Sequence, residues 1–108
     1  MPHRSIFANE QSMRPLLAEY AAGLRAHVAA LRADLARAAW NDLRLRLHQL
    51  KGSGASYGFA EITDYAAAAE QRLLARDFPA ATDAIDRLIG YMEGVEGYGT
   101  PPPPSPSL

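Results

Sequence analysis

Apolar residues recur at intervals of three and four along four stretches of this chain, a spacing that places them on one face of an α-helix. The stretches cover residues 16–38, about 39–56, about 60–75 and about 78–95. The alternation of apolar and polar residues that marks a half-buried strand does not occur. The pattern therefore predicts four amphipathic helices, each with one buried face.

The predicted buried faces consist mostly of aliphatic and aromatic residues. They are Leu17, Tyr20, Leu24, Val28, Leu31 and Leu35; Trp40, Leu43, Leu47, Leu50, Gly54 and Tyr57; Ile62, Tyr65, Ala66, Ala69 and Leu73; and Ala81, Ile85, Leu88, Ile89, Met92 and Val95. Four such helices joined by short connections bury these faces against one another. We expect an all-α fold, an antiparallel up-down-up-down four-helix bundle.

A chain of 108 residues has the size of one domain, and its two ends differ in composition from its middle. Residues 1–14 form a short polar extension, in which Ser12 precedes the first helix and Pro15 suits its first turn. The bundle is expected over residues 15–97. Residues 98–108 form a Pro-rich tail, which is expected to be polyproline II or disordered because proline lacks the amide donor of a helix.

Composition excludes several classes of function. The chain has no cysteine, which rules out disulfides, thiolate zinc sites and a cysteine nucleophile. A net charge of −1 argues against a nucleic-acid-binding domain. No apolar run approaches the roughly 20 residues of a membrane-spanning helix, and the N-terminus lacks a secretory apolar segment. We expect a cytoplasmic domain that works through a local surface.

A histidine stands in the middle of the second helix, beside the buried face. Around His48 the helical spacing places Arg44, Leu45, Lys51, Gly52 and Ala55. A neutral imidazole is a nucleophile near neutral pH, and its attack on phosphorus gives a phosphoimidazole. Lys51 could stabilise the oxygens of such a group, and Gly52 would let a partner's backbone approach.

The second ring nitrogen of a nucleophilic histidine needs a partner that fixes its tautomer. The predicted reversal near Gly58 brings residues 67–70 of the third helix level with His48. Glu70 is the only acidic residue between positions 65 and 74, and its carboxylate could accept a hydrogen bond from the imidazole N–H. A nucleophile, an orienting group and an electrostatic stabiliser are the parts of an activated side chain.

Each of these residues also has an ordinary structural interpretation. His48 could be a partly buried histidine, Lys51 and Gly52 a helix end, and Glu70 a surface partner of an arginine. His3 and His27 have no ligands at metal spacing, so we expect no metal site. No strand leads into the two glycines after Lys51, so we expect no phosphate-binding loop, no ATP site and no autonomous kinase activity.

The run from His48 to Phe59 reads His-Gln-Leu-Lys-Gly-Ser-Gly-Ala-Ser-Tyr-Gly-Phe. It resembles the signature of histidine-containing phosphotransfer (HPt) domains, His-x-Leu-Lys-Gly followed by a glycine six residues later. The similarity extends over about residues 14–96 and includes Trp40 before the histidine helix and the acidic position Glu70. In that family an exposed histidine of a four-helix bundle accepts a phosphoryl group from a receiver aspartate and passes it to another receiver.

The resemblance implies a role for each residue of the motif. His48 would be phosphorylated, Lys51 would stabilise the phosphate, and Glu70 would contact the imidazole. Gly52 would permit docking of the receiver, which we expect on the face formed by the first two helices. The predicted docking face comprises Arg44, Leu45, Gly52 and Ala55.

The implied partners are response-regulator receiver domains, a hybrid sensor histidine kinase, or both. We expect Mg²⁺ on the receiver, no cofactor on this chain, and a monomer. Two alternatives stay open at this point. The chain could be a non-catalytic helical module that binds a receiver or kinase. It could also be a phosphotransfer domain of the chemotaxis-kinase type, phosphorylated by an ATP-binding partner, a branch that the aromatic residues Tyr57 and Phe59 favour.

Overall fold

The computed structural model describes residues 2–100, which form four α-helices preceded by a short 3₁₀ turn. The turn is Gln11–Met13, and the helices are α1 (Arg14–Ala36), α2 (Trp40–Ser56), α3 (Ala60–Leu74) and α4 (Phe78–Glu93). Helix α1 packs against α2 and α4, and α3 packs against the same two helices. Short connections make consecutive helices antiparallel. The predicted four-helix bundle is confirmed.

The core is built from the predicted faces of all four helices. Every helix contributes fully buried side chains, among them Leu24, Leu47, Ile62 and Ile85. The exception is Tyr65, which was placed on a buried face but is 37% exposed. It lies at the edge of its helix face, where its ring packs at a tilt against Tyr91, with 5.7 Å between centroids. The prediction that Tyr65 belongs to the core is wrong.

One residue in each connection has a left-handed backbone, and this residue ends the helix before it. Ala38 has a φ of 52°, Gly58 a φ of 82° and Arg76 a φ of 58°. A left-handed residue cannot continue a right-handed helix. For this reason α1 ends at Ala36, two residues earlier than predicted. Gly58 is the residue for which this backbone costs least, because it has no Cβ.

A tight turn leads the chain into helix α1. Ser12 lies within the 3₁₀ turn, and the residue before the helix is Met13, whose side chain makes no capping hydrogen bond. The Met13 N–H donates to the carbonyl of Glu10 at 3.1 Å, so the tight turn itself leads the chain into α1. Pro15 lies in the first turn as expected. Helix α1 thus begins two residues after Ser12 and without a side-chain cap.

The N-terminal extension is bound to one end of the bundle, a feature the sequence did not indicate. The His3 N–H donates to the Gly94 carbonyl at 2.7 Å, and the Glu96 N–H donates to the His3 carbonyl at 2.8 Å. Ser5 is buried, and its hydroxyl donates to the carbonyl of Tyr57. The extension therefore joins the end of α4 to the connection between α2 and α3.

The first residues of the predicted tail also contact the bundle. Tyr98 is half-buried against the core, and the Gly99 N–H donates to the Ala21 carbonyl at 3.4 Å. Packing thus extends to residues that composition alone assigned to the tail. The segment predicted to be polyproline II or disordered is residues 98–108, and its residues 101–108 lie outside the described residues.

Candidate functional site

His48 projects from the middle of α2 into solvent. Its neighbours Leu47 and Leu50 are fully buried and fix the rotation of the helix, so position 48 faces outward. The side chain of His48 is 65% exposed. Helix α2 continues to Ser56, so Lys51 lies within the helix rather than at its end. The interpretation of Lys51 and Gly52 as a helix end is therefore wrong.

Glu70 lies on α3 directly beside His48. Its side chain is only 7% exposed. Its Oε2 atom lies 3.2 Å from Nδ1 of His48, and its Oε1 atom accepts a hydrogen bond from Nζ of Lys51 at 2.8 Å. The carboxylate therefore holds two side chains that lie one turn apart on α2. We call these three residues, His48, Lys51 and Glu70, the histidine cluster.

The charge of Glu70 decides which imidazole nitrogen carries a proton. The hydrogen bond from Lys51 lowers the pKa of Glu70; burial raises that pKa, and the charge of Lys51 and the contact with His48 lower it further. Glu70 is therefore ionised near neutral pH and can only accept hydrogen bonds. The proton of a neutral His48 must then lie on Nδ1, facing the carboxylate. Nε2 is left with its lone pair directed away from Glu70.

The sequence analysis did not predict which residue Lys51 contacts. Its ammonium group forms an ion pair with Glu70, and its side chain is 36% exposed. The contact between Lys51 and Glu70 was missed, although the three-residue spacing from His48 could have shown that one acid can reach both. Its predicted role in stabilising phosphate stays a prediction.

Helices α2 and α3 are locked in the register that brings Glu70 to His48. The hydroxyl of Thr63 donates to the Lys51 carbonyl at 2.8 Å and accepts from the Ala55 N–H at 2.9 Å. Gly54 packs so closely on α3 that a Cβ there would lie 2.8 Å from Cβ of Ile62. The close crossing of the two helices thus requires a glycine at position 54.

The residues predicted to form the docking face are all exposed. Leu45 is 54% exposed, and Arg44, Gly52 and Ala55 are also exposed. A Cβ added at Gly52 would have no neighbour within 4 Å, so nothing inside the bundle requires glycine there. The missing side chain leaves open space one turn beyond His48.

A buried acid that the sequence analysis overlooked holds α2 against α1. Asp34 is 1% exposed, and its two oxygens accept hydrogen bonds from Arg46 at 2.8 Å and from Arg37 at 2.6 Å. The bond from Arg46 lowers the pKa of Asp34, against the effect of burial. Asp34 lies three residues after Leu31 of the buried stripe, and this spacing could have revealed it.

Two hollows of the described surface lie at opposite ends of the bundle, and the histidine cluster lines neither. One, of about 300 Å³, is lined in part by Ser5 and Phe59, and another, of about 530 Å³, by Trp40 and Phe78. His48 instead stands on the convex side of a helix. Such a site suits the surface of another protein better than a small substrate, which needs a cleft.

Residues 2–100 contain neither a cluster of metal ligands nor a membrane-spanning helix. Within this range no three histidine, cysteine, aspartate or glutamate residues are grouped so that they could hold a metal ion. None of the helices there has both the length and the apolar composition needed to cross a membrane.

Comparison with known protein families gives one result. The family model of the Hpt domain matches residues 15–98. The match covers α2, α3 and α4 completely and α1 from its second residue, and it includes the histidine cluster. Comparisons with curated proteins and with solved structures gave no significant match.

Proposed function

Because the chain belongs to the Hpt domain family, whose function is histidine phosphotransfer in two-component signalling, we propose that His48 carries the phosphoryl group. The observation that best supports this proposal is the histidine cluster. It presents an exposed imidazole whose Nδ1 is held by a buried carboxylate and whose Nε2 is free. We further propose that the chain is a relay intermediate between receiver domains.

The two ring nitrogens of His48 have different roles in the transfer of the phosphoryl group. The lone pair of Nε2 forms the new bond to phosphorus, while the bond from phosphorus to the receiver's aspartate oxygen breaks and its electron pair returns to that carboxylate. Nδ1 keeps its proton, so the phosphorylated ring carries a positive charge. The carboxylate of Glu70 lies beside that charge and stabilises it.

Lys51 supports the same step in two ways. Its hydrogen bond keeps Glu70 ionised and fixes the direction of the carboxylate. Its ammonium lies on the face of α2 that carries His48, where it can also attract the oxygens of a bound phosphoryl group. The chain itself supplies position and charge, and Mg²⁺ bound to the receiver would supply the remaining stabilisation of the transferring group.

The surface around His48 accommodates a protein partner. Leu45 and Arg44 lie about one turn before the histidine, and the open space at Gly52 lies one turn after it. Transient signalling contacts bury little surface, so a docking area of this kind can be small. We propose that the receiver docks here.

The test is transfer of labelled phosphate to the wild-type chain and to His48→Gln. The donors are receiver domains of the same organism, phosphorylated with acetyl phosphate, and in a second arm a histidine kinase with ATP. We expect an acid-labile, alkali-stable adduct on the wild type and none on the variant, whose fold is checked by circular dichroism. Labelling by kinase alone would favour the chemotaxis-kinase type. Binding without any labelling would indicate a non-catalytic module and overturn the proposal.

A further inference from the structure

The charges of the bundle are divided between its two halves. Helices α1 and α2 carry six arginine or lysine residues and three acidic residues, a net charge of +3. Helices α3 and α4 carry two arginines and six acidic residues, a net charge of −4. The overall charge of −1 conceals this division.

The division follows the architecture of the bundle. Helices α1 and α2 are packed against each other, as are α3 and α4, so the two net charges lie on opposite sides of the molecule. The basic half contains the helix that bears His48. Arg44 is exposed one turn before His48, whereas Arg87 is exposed on α4 and forms an i,i+4 ion pair with Asp83.

Ion pairs between the halves reduce this asymmetry but do not reverse it. Lys51 pairs with Glu70 and Arg32 pairs with Glu93, and without these four charges the net values are +1 and −2. Asp34 pairs with Arg46 and Arg37, and Arg37 also lies 3.8 Å from Asp42, so the charges of this group balance. Arg44 is exposed and forms no ion pair with the described residues, so it adds a positive charge to α2 one turn before His48.

We infer that the basic half of the bundle, α1 and α2, selects and orients a receiver whose docking surface is acidic. The inference rests on the proposed function and adds the charge of the partner to it. A molecule with opposite net charges on its two sides turns its basic side toward an acidic surface before contact. Attraction of this kind raises the association rate and weakens with salt.

The experiment measures the second-order rate of phosphoryl transfer from acetyl-phosphate-treated receiver domains to three chains. These are the wild type, Arg44→Glu and Arg87→Glu. Both substitutions change the net charge equally and occupy exposed helix positions, but only the first lies in the basic half. Rates are compared at about 25 mM and about 300 mM salt, where the range of electrostatic attraction differs roughly threefold.

We expect Arg44→Glu to lower the rate about 10-fold at low salt and much less at high salt, while Arg87→Glu stays within about twofold of the wild type. Equal rates for the two variants, or a wild-type rate independent of salt, would overturn the inference. A deficit of Arg44→Glu that persists unchanged at high salt would also overturn it, because that points to a local contact. All three results leave the proposed function intact, since the wild type still accepts phosphate.

Discussion

Glu70 is almost completely buried, and it lies 3.2 Å from Nδ1 of His48, whose side chain is largely exposed. The pair joins the inside of the bundle to its reactive surface. Because the carboxylate of Glu70 is fixed inside the bundle, its hydrogen bond holds the imidazole of His48 in one orientation and one tautomer. The geometry of α3 therefore sets the chemistry of a residue on α2.

Replacing Glu70 by glutamine tests this relationship. Glu70→Gln keeps the shape but loses the charge that stabilises the phosphorylated ring. A hydrogen bond to a charged group contributes about 1.5–3 kcal/mol, so we expect phosphoryl transfer to slow by about 10- to 100-fold. The ¹⁵N chemical shifts of the imidazole should also show a larger share of the Nε2–H tautomer. Unchanged shifts together with an unchanged rate would remove Glu70 from the mechanism.

Lys51→Ala should change the response of the fold to acid. Because the pKa of Glu70 is lowered chiefly by Lys51, ionised Glu70 stabilises the fold above its unfolded pKa, near 4.5, and this contribution is lost as pH falls through the lower folded value. We expect Lys51→Ala to cost about 1 kcal/mol at pH 7, allowing for solvent screening, and less near pH 3. Urea unfolding at both pH values measures the difference, and Lys51→Arg should restore it. A cost that is equal at both pH values would contradict the assignment.

Gly52 and Gly90 provide a matched pair of substitutions. Both are exposed helical glycines, and a Cβ at either position would have no neighbour within 4 Å. Glutamine should stabilise each helix by up to about 1 kcal/mol. Gly52→Gln should nevertheless slow transfer from a receiver by about 10-fold or more, because the side chain obstructs docking beside His48. Gly90→Gln should transfer at the wild-type rate. If both variants transfer equally well, Gly52 has no part in docking.

Asp34 should matter for stability far more than an exposed acid does. Asp34→Ala removes a buried carboxylate that binds Arg46 and Arg37, and we expect a loss of about 2 kcal/mol in the free energy of unfolding. The control is Asp83→Ala, whose ion pair with Arg87 is exposed on one helix, and which should change stability by less than about 0.5 kcal/mol. Chemical denaturation of both variants makes the comparison. Similar losses would show that the α1–α2 ion pair is not a stabilising contact.

The sequence predicted the structure best where the periodicity of a single helix determines which residues are buried. The spacing of Leu43, Leu47 and Leu50 predicted the buried face of α2 and therefore the outward direction of His48. His48 and Glu70 lie at about equal distances along the chain on either side of the turn at Gly58. Because α2 and α3 are antiparallel, this count predicted that the two residues lie level with each other.

Other contacts between distant segments escaped prediction, since no local pattern encodes them. The packing of Ser5 against the α2–α3 connection depends on the surface that the folded bundle forms at that end. The ion pair of Asp34 with Arg46 joins two helices, and Gly54 is explained only by the distance at which α3 crosses α2. The ammonium group of Lys51 was predicted to face a phosphate. Its ion pair with Glu70 was missed because Glu70 had been assigned to His48 alone.

The most direct test of this account is the position of the phosphoryl group on the ring. The chain, labelled with ¹⁵N-histidine, is phosphorylated by its fastest receiver donor, and coupling between phosphorus and the ring nitrogens is recorded by NMR. We predict coupling to Nε2 of His48, with the proton retained on Nδ1. Phosphorus on Nδ1 of His48, or on His3 or His27, would contradict it.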